Sequence, residues 1–241
     1  MASEPPFPPP LYPEEPPPLP AGPGGGTPWE RRDSIGFLAA FVETTQGVLL
    51  RPSAFFQAMP VTGGIGGPLL YAVIVGYLGL VASTLYGAVF SSVFGSAFGR
   101  FGAQRAEVER MLHFLAGWGG VLVQLVTGPV SIVIGAFVIA GILHVLLMVV
   151  GATPRDFEAT FRVVAYSFAV SVIDLLPFCG RPIGFVWWVV VVTLGFVAVH
   201  RTSVPQALGA VLLPIFLCCC CLLGLGALAL GGLATAIRQF Q

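Results

Sequence analysis

The chain has no lysine and no asparagine, and charged side chains make up only 9% of its 241 residues. A soluble domain carries about a quarter charged residues. The shortage excludes an ordinary water-facing surface and leaves one suited to lipid. All 11 basic residues are arginine, and 11 acids balance them to zero net charge. Neutralising phosphates takes a basic surface, so nucleic acid is excluded as a partner. Lysine and asparagine both use A-rich codons, and their joint absence points to a GC-rich gene and a bacterial inner membrane.

Patterns that carry chemistry are missing too. The five cysteines are Cys179 and the run Cys218 to Cys221, with neither zinc-site nor disulfide-framework spacing. His113, His144 and His200 are scattered and His-x-x-x-His is absent, so single satisfied histidines are expected and no metal. Gly22-Pro23-Gly24-Gly25-Gly26 lacks the Lys-Ser/Thr that completes a phosphate loop. No Gly-x-Ser-x-Gly, no Ser/His/Asp set and no paired glutamates occur. No cofactor and no enzymatic activity are expected.

What the chain does have is long charge-free runs. Between Arg51 and Arg100 lie 48 uncharged residues, between Arg110 and Arg155 lie 44, and between Arg201 and Arg238 lie 36. A hydrocarbon core of ~30 Å takes ~20 apolar residues per helix, and charge at its centre is penalised. The fold class is therefore all-α: a polytopic membrane helix bundle of about five transmembrane helices.

Residues 1–28 hold 12 of the 21 prolines with Gly24-Gly25-Gly26 and three glutamates, which predicts a disordered tail of polyproline-II character. Its Pro9-Pro10-Leu11-Tyr12 and Pro16-Pro17-Pro18-Leu19-Pro20 match WW and SH3 ligand patterns, which also arise by chance in such composition. Residues 29–62 read as juxtamembrane amphipathic helices. Thr27-Pro28-Trp29-Glu30 predicts a capping box opening one helix to Leu50, and residues 53–59 a short second helix. In the first helix Phe37, Leu38, Phe41, Val42, Val48 and Leu49 share one side and Arg32, Gly36, Ala40, Glu43 and Gly47 the other, so it is expected to lie in the interface plane or to pack beneath the bundle.

Residues 63–241 form the membrane domain, with spans expected at about 68–93, 119–150, 157–177, 182–200 and 205–233. Gly128-Pro129 leaves two readings, one long kinked helix or two short spans turning there; one span avoids a reversal that exposes backbone to lipid. Ser203-Val204-Pro205-Gln206 predicts another capping box. No signal peptide is visible at Met1, so the first span is expected to direct insertion. Five spans put the termini on opposite sides; arginines divide six against five, a narrow vote for a cytoplasmic N-terminus.

Four polar residues are candidates. Asp174 is an intramembrane carboxylate, either a proton or cation site or an ion pair with Arg181. Arg162 stands four residues after Glu158, with which it is expected to pair and snorkel towards water. Tyr166, one turn deeper, bonds across helices or covers the interface. Gly79, Ser83, Gly87, Ser91, Gly95 and Gly99 form a ladder at spacing four, the pattern that lets helix backbones approach in lipid. Cys218 to Cys221 point all round a helix and read as small packing residues.

Several segments resemble the Yip-domain family of multi-span membrane proteins, in its bacterial type. Trp29-Glu30, Arg51-Pro52 with Phe55-Phe56, and Gly67-Pro68-Leu69 are similar to the stretch that leads into its first span. Residues 157–167, from Phe157-Glu158-Ala159 to Tyr166-Ser167, resemble its most recognisable segment. Pro177, Gly180, Trp187, Gly195, His200 and the segment from Pro205 to Pro214 fit the family's pattern C-terminal to that segment. The resemblance covers about residues 29–220 and implies five spans, a cytosolic N-terminal region and no enzymatic role. The family is named for Ypt/Rab GTPase partners. Two departures weigh against one here: only Gly-Pro remains of an Asp-Leu-Tyr-Gly-Pro motif, and Val170 stands where proline often follows the Tyr-Ser pair.

The expected function is a membrane scaffold that organises lipid or protein partners, a second copy or another membrane protein among them. The alternative is a small transporter or channel component with Asp174 on its path.

Overall fold

A computed structural model describes residues 26–98, 118–152 and 155–239. Most of the Pro-rich tail, the segment with Arg100, Arg105, Glu107, Glu109, Arg110 and His113, and Thr153-Pro154 lie outside the described residues.

A 3-10 turn, Pro28–Arg31, leads into helix α1 (Arg32–Ile35), α2 (Phe37–Leu50) and α3 (Pro52–Ala58). Two long helices come next, α4 (Gly66–Phe98) and α5 (Trp118–Val149). Helix α6 (Phe157–Ser167) continues into a 3-10 segment, Phe168–Leu175, before α7 (Gly180–His200) and α8 (Val204–Gln239). No strand occurs among the described residues.

Among the described residues, four helices are long and apolar enough to cross a membrane: Gly66–Phe90, Gly119–Val149, Gly180–His200 and Val204–Gly224. The third segment expected to span, 157–177, is not one continuous α-helix. Its backbone tightens to 3-10 at Phe168. At ~1.5 Å rise per α residue and ~2.0 Å per 3-10 residue, Phe157–Leu175 still reaches about 30 Å. It runs alongside α4 as far as Tyr86: Arg162 bonds Gly64 just before α4, Ser171 packs on Gly79, and the Tyr86 hydroxyl donates to the Leu175 carbonyl over 2.9 Å.

Helix α6 is the axis of the bundle. Every residue from Ala159 to Ser167 is buried, so it has no lipid-facing side. Phe161 stacks on Phe137 of α5 at 4.6 Å, and Tyr166 meets Phe55 of α3 and Tyr71 of α4 at 5.4 and 5.5 Å. A Cβ on Gly195 of α7 would lie 2.5 Å from the Val163 side chain, so glycine sets that crossing.

Two expectations about the N-terminal helices change. Thr27 and Glu30 do form the capping box, but the helix does not run unbroken to Leu50. Gly36, at φ +89°, interrupts it in a left-handed conformation that only glycine adopts freely. The packing face of α2 is also not the whole apolar stripe: Val48 is buried and Phe41 and Leu49 pack against the core, but Phe37, Leu38 and Val42 of the same stripe face outwards. Ala40, Thr44, Thr45 and Val48 are buried, while Phe37, Leu38, Val42 and Leu50 are exposed. In lipid, large apolar side chains suit the outside, and small residues admit close helix packing within.

The Gly128-Pro129 question resolves as one helix, with Pro129 inside α5. Ser203 and Gln206 also form the reciprocal pair expected at the start of α8. The Gln206 amide donates onward to the Gly151 carbonyl over 3.3 Å, joining α8 to the chain just after α5.

Candidate functional site

The polar centre is built around Arg162, whose side chain is fully buried. Its Nη2 pairs with the Glu30 carboxylate, and its Nη1 donates to the Gly64 carbonyl over 2.8 Å. This is the one ion pair found among the described residues. The expected partner, Glu158, instead accepts the Gly64 backbone N–H over 2.6 Å. The correction has a physical reason. An i, i+4 pair on an exposed helix face would leave Arg162 in water, but α6 has no exposed face. The guanidinium therefore takes the carboxylate that the N-terminal turn brings to it.

Local geometry makes that delivery possible. The capping box fixes Glu30: its Oε2 accepts the Thr27 backbone N–H at 2.9 Å, leaving Oε1 for Arg162. Gly63 and Gly64 have φ of +126° and +89°, which aims the Gly64 carbonyl at the guanidinium and its N–H at Glu158. The Arg162 Nε–H is buried without a partner.

Tyr166 extends the cluster. Its hydroxyl lies 2.7 Å from Thr27 Oγ1, and Thr27 Oγ1 lies 3.3 Å from Glu30 Oε2. A tyrosine O–H donating to Thr27 frees the threonine proton for the carboxylate, giving a directed chain that ends on the ion pair. Trp29, fully buried, donates its indole N–H to the Gly67 carbonyl over 2.8 Å. Arg32 covers its ring at 5.2 Å, and Tyr71 meets it edge-on at 5.5 Å. Thr27-Pro28-Trp29-Glu30 is thus a clamp on the bundle. Its capping pattern was visible in the sequence; nothing in the spacing linked it to Arg162, 132 residues away.

Asp174 and Arg181 lie towards the other end of α6–α7. They do not pair with each other; both line one surface cavity of about 430 Å³ between the 3-10 segment and α7. Trp188, another wall, donates its indole N–H to Ser167 Oγ over 3.0 Å.

A further polar chain joins residues far apart in the sequence. The Arg155 backbone N–H donates to His200 Nδ1 over 3.0 Å. The neutral His200 ring then carries its proton on Nε2, which faces Thr160 Oγ1 at 3.2 Å, and Thr160 in turn donates to His144 Nδ1 at 2.8 Å. This links α5, α6 and α7 through one hydroxyl. Sequence spacing carried no signal of it, because Thr160 comes from a third helix. Among the described residues, no group of three or more His, Cys, Asp or Glu is arranged to hold a metal.

The small-residue ladder divides. A Cβ on Gly79 would lie 2.5 Å from the Ser171 carbonyl oxygen, so the 3-10 backbone sits directly on this glycine. Gly180 does the same from α7, with the Ile173 carbonyl oxygen at 2.3 Å from its would-be Cβ. Ser83 bonds back to Leu80 within its own helix, and Gly87 faces open space. The side chain of Ser91, with Gly95 and Gly99, lies outside what is described. Cys218 to Cys221 are exposed, not packed.

No curated protein and no solved structure matches the chain. A family model does match, the Yip1 domain, over residues 47–226. That match takes in α3 to α7, the Arg162 axis and most of α8, and on it the chain belongs to the Yip1-domain family.

Proposed function

We propose that the protein is a non-enzymatic multi-pass membrane scaffold, organising partners around a rigid bundle with its N-terminal tail on the cytoplasmic side of the cell membrane. The observation that carries this reading is the Arg162–Glu30 ion pair, which fixes Thr27–Glu30 on the buried axis. Chain preceding Thr27 then leaves from a fixed point, as suits a docking tail. In this reading the α6 and 3-10 segment is a fifth pass, its 3-10 stretch giving 19 residues the reach of a bilayer core. Protein partners are membrane proteins or a second copy; a GTPase is not included, given the departures at Gly66-Gly67-Pro68-Leu69 and Val170.

Deleting residues 1–25 tests it. We expect membrane insertion and thermal stability to be kept, and crosslinks to a specific partner, mapped by mass spectrometry in cells, to be lost. Unchanged crosslinks would remove the docking role, and loss of folded protein would make the tail part of the bundle.

The second reading is a small transporter or channel component, favoured by Asp174 standing without an ion-pair partner. Flux in proteoliposomes that Asp174→Asn abolishes would support it.

A further inference from the structure

We propose that the groove between the 3-10 segment and α7 binds the headgroup of a zwitterionic phospholipid carrying a primary amine, phosphatidylethanolamine, with Asp174 taking the ammonium and Arg181 the phosphate. The groove is about 430 Å³, within the ~300–1,000 Å³ of ligand sites. It presents one carboxylate and one guanidinium, and neither makes a hydrogen bond or ion pair with protein among the described residues. Opposite charges this close in sequence and space ordinarily neutralise each other. Held apart across one groove, they complement a ligand that carries both charges a few atoms apart.

The groove's position fits a lipid. Asp174 is at the end of the 3-10 segment and Arg181 in the first turn of α7, where a membrane-crossing helix meets the headgroups. The helix N-terminus adds a positive dipole on the phosphate side. Beside Ser167 and Ser171, the walls contributed by Ile139, Phe168, Phe185 and Trp188 are apolar surface suited to acyl chains. Phe185 is exposed. Trp188 is held by its bond to Ser167. The Asp174 carboxylate lies over Gly184, whose missing side chain keeps that wall open; an added Cβ would stand 3.4 Å from Oδ1.

Charge decides among lipids. A phosphatidylglycerol headgroup offers Asp174 no cation. Phosphatidylcholine offers one, but its trimethylammonium cannot donate hydrogen bonds to a carboxylate. A primary ammonium gives both charge and donors, and charge-assisted hydrogen bonds are the stronger kind.

Native mass spectrometry of the purified full chain with dioleoyl phosphatidylethanolamine, phosphatidylcholine and phosphatidylglycerol tests this. The wild type should retain phosphatidylethanolamine about fivefold better than either of the others. Asp174→Asn should lower phosphatidylethanolamine more than phosphatidylcholine, so that the two are then retained equally. Arg181→Gln should weaken both zwitterionic lipids equally. Arg181 is exposed, so this variant keeps its fold and serves if Asp174→Asn does not. Equal retention of all three lipids by the wild type means annular lipid only and overturns the proposal. So does a phosphatidylethanolamine preference that survives both substitutions.

Discussion

The Tyr77 hydroxyl donates to the Leu125 carbonyl over 3.0 Å, and Leu125 stands four residues before Pro129 in α5. Proline has no N–H, so the carbonyl four residues earlier loses its helical donor. Tyr77, from α4, replaces it. Gly128 gives the ring room, since a Cβ there would lie 3.2 Å from the Tyr77 ring. Gly128-Pro129 is therefore a docking point between two membrane helices. Tyr77→Phe should cost about 0.5–1.5 kcal/mol, the range for a hydrogen bond within lipid. In a Pro129→Ala background, where a restored backbone N–H again donates to Leu125, the same change should cost clearly less. Equal costs in the two backgrounds, measured by unfolding in mixed micelles, would show that the tyrosine does not serve the orphaned carbonyl.

The two glycines that hold the 3-10 segment should be intolerant. Gly79→Ala and Gly180→Ala each drive a methyl into backbone, at a cost of roughly 1–3 kcal/mol. Gly87→Ala meets open space and should be neutral or slightly stabilising through helix propensity. Thermal melting of the three variants separates the rungs, and a cost at Gly87 as large as at Gly79 would argue for a contact between copies.

Removing one member of the Arg162–Glu30 pair should be costly. Arg162 is fully buried, and a buried charge left without its partner typically costs about 3–5 kcal/mol. Glu30→Ala should therefore destabilise strongly. Glu30→Gln keeps one acceptor oxygen, enough for Arg162 or for Thr27 but not for both, and should cost less than Glu30→Ala. Replacing Glu158 with Ala removes only a backbone contact to Gly64 and should cost about 1 kcal/mol. Equal losses at Glu30 and Glu158 would return the ion pair to Glu158.

Thr160→Val keeps the shape of α6 but removes the hydroxyl shared by His144 and His200. Leaving the His200 Nε2–H buried without an acceptor should cost about 1–3 kcal/mol. Thr160→Ser should restore most of it. Proton chemical shifts of the His200 ring should move in Thr160→Val and not in Thr160→Ser.

The chain's composition determined its class by itself. With 9% charge and uncharged runs of 36 to 48 residues, burial in lipid was the only inexpensive outcome, and the helix starts came from capping patterns at Thr27 and Ser203. Pro129 placed a weak point in α5, but which residue would mend it depended on α4 lying alongside. Arg162, Tyr166, Asp174 and Arg181 stood out because polar groups are rare in such a chain. Their partners did not, because local spacing reports only neighbours on one helix. Glu30, Gly64, Thr27 and Thr160 come from elsewhere in the chain and meet their polar partners only once the bundle is packed. The same holds for the outward apolar face of α2 and for the division of the glycine ladder. A sequence shows which side chains share a face, and tertiary packing decides whether that face meets lipid or protein.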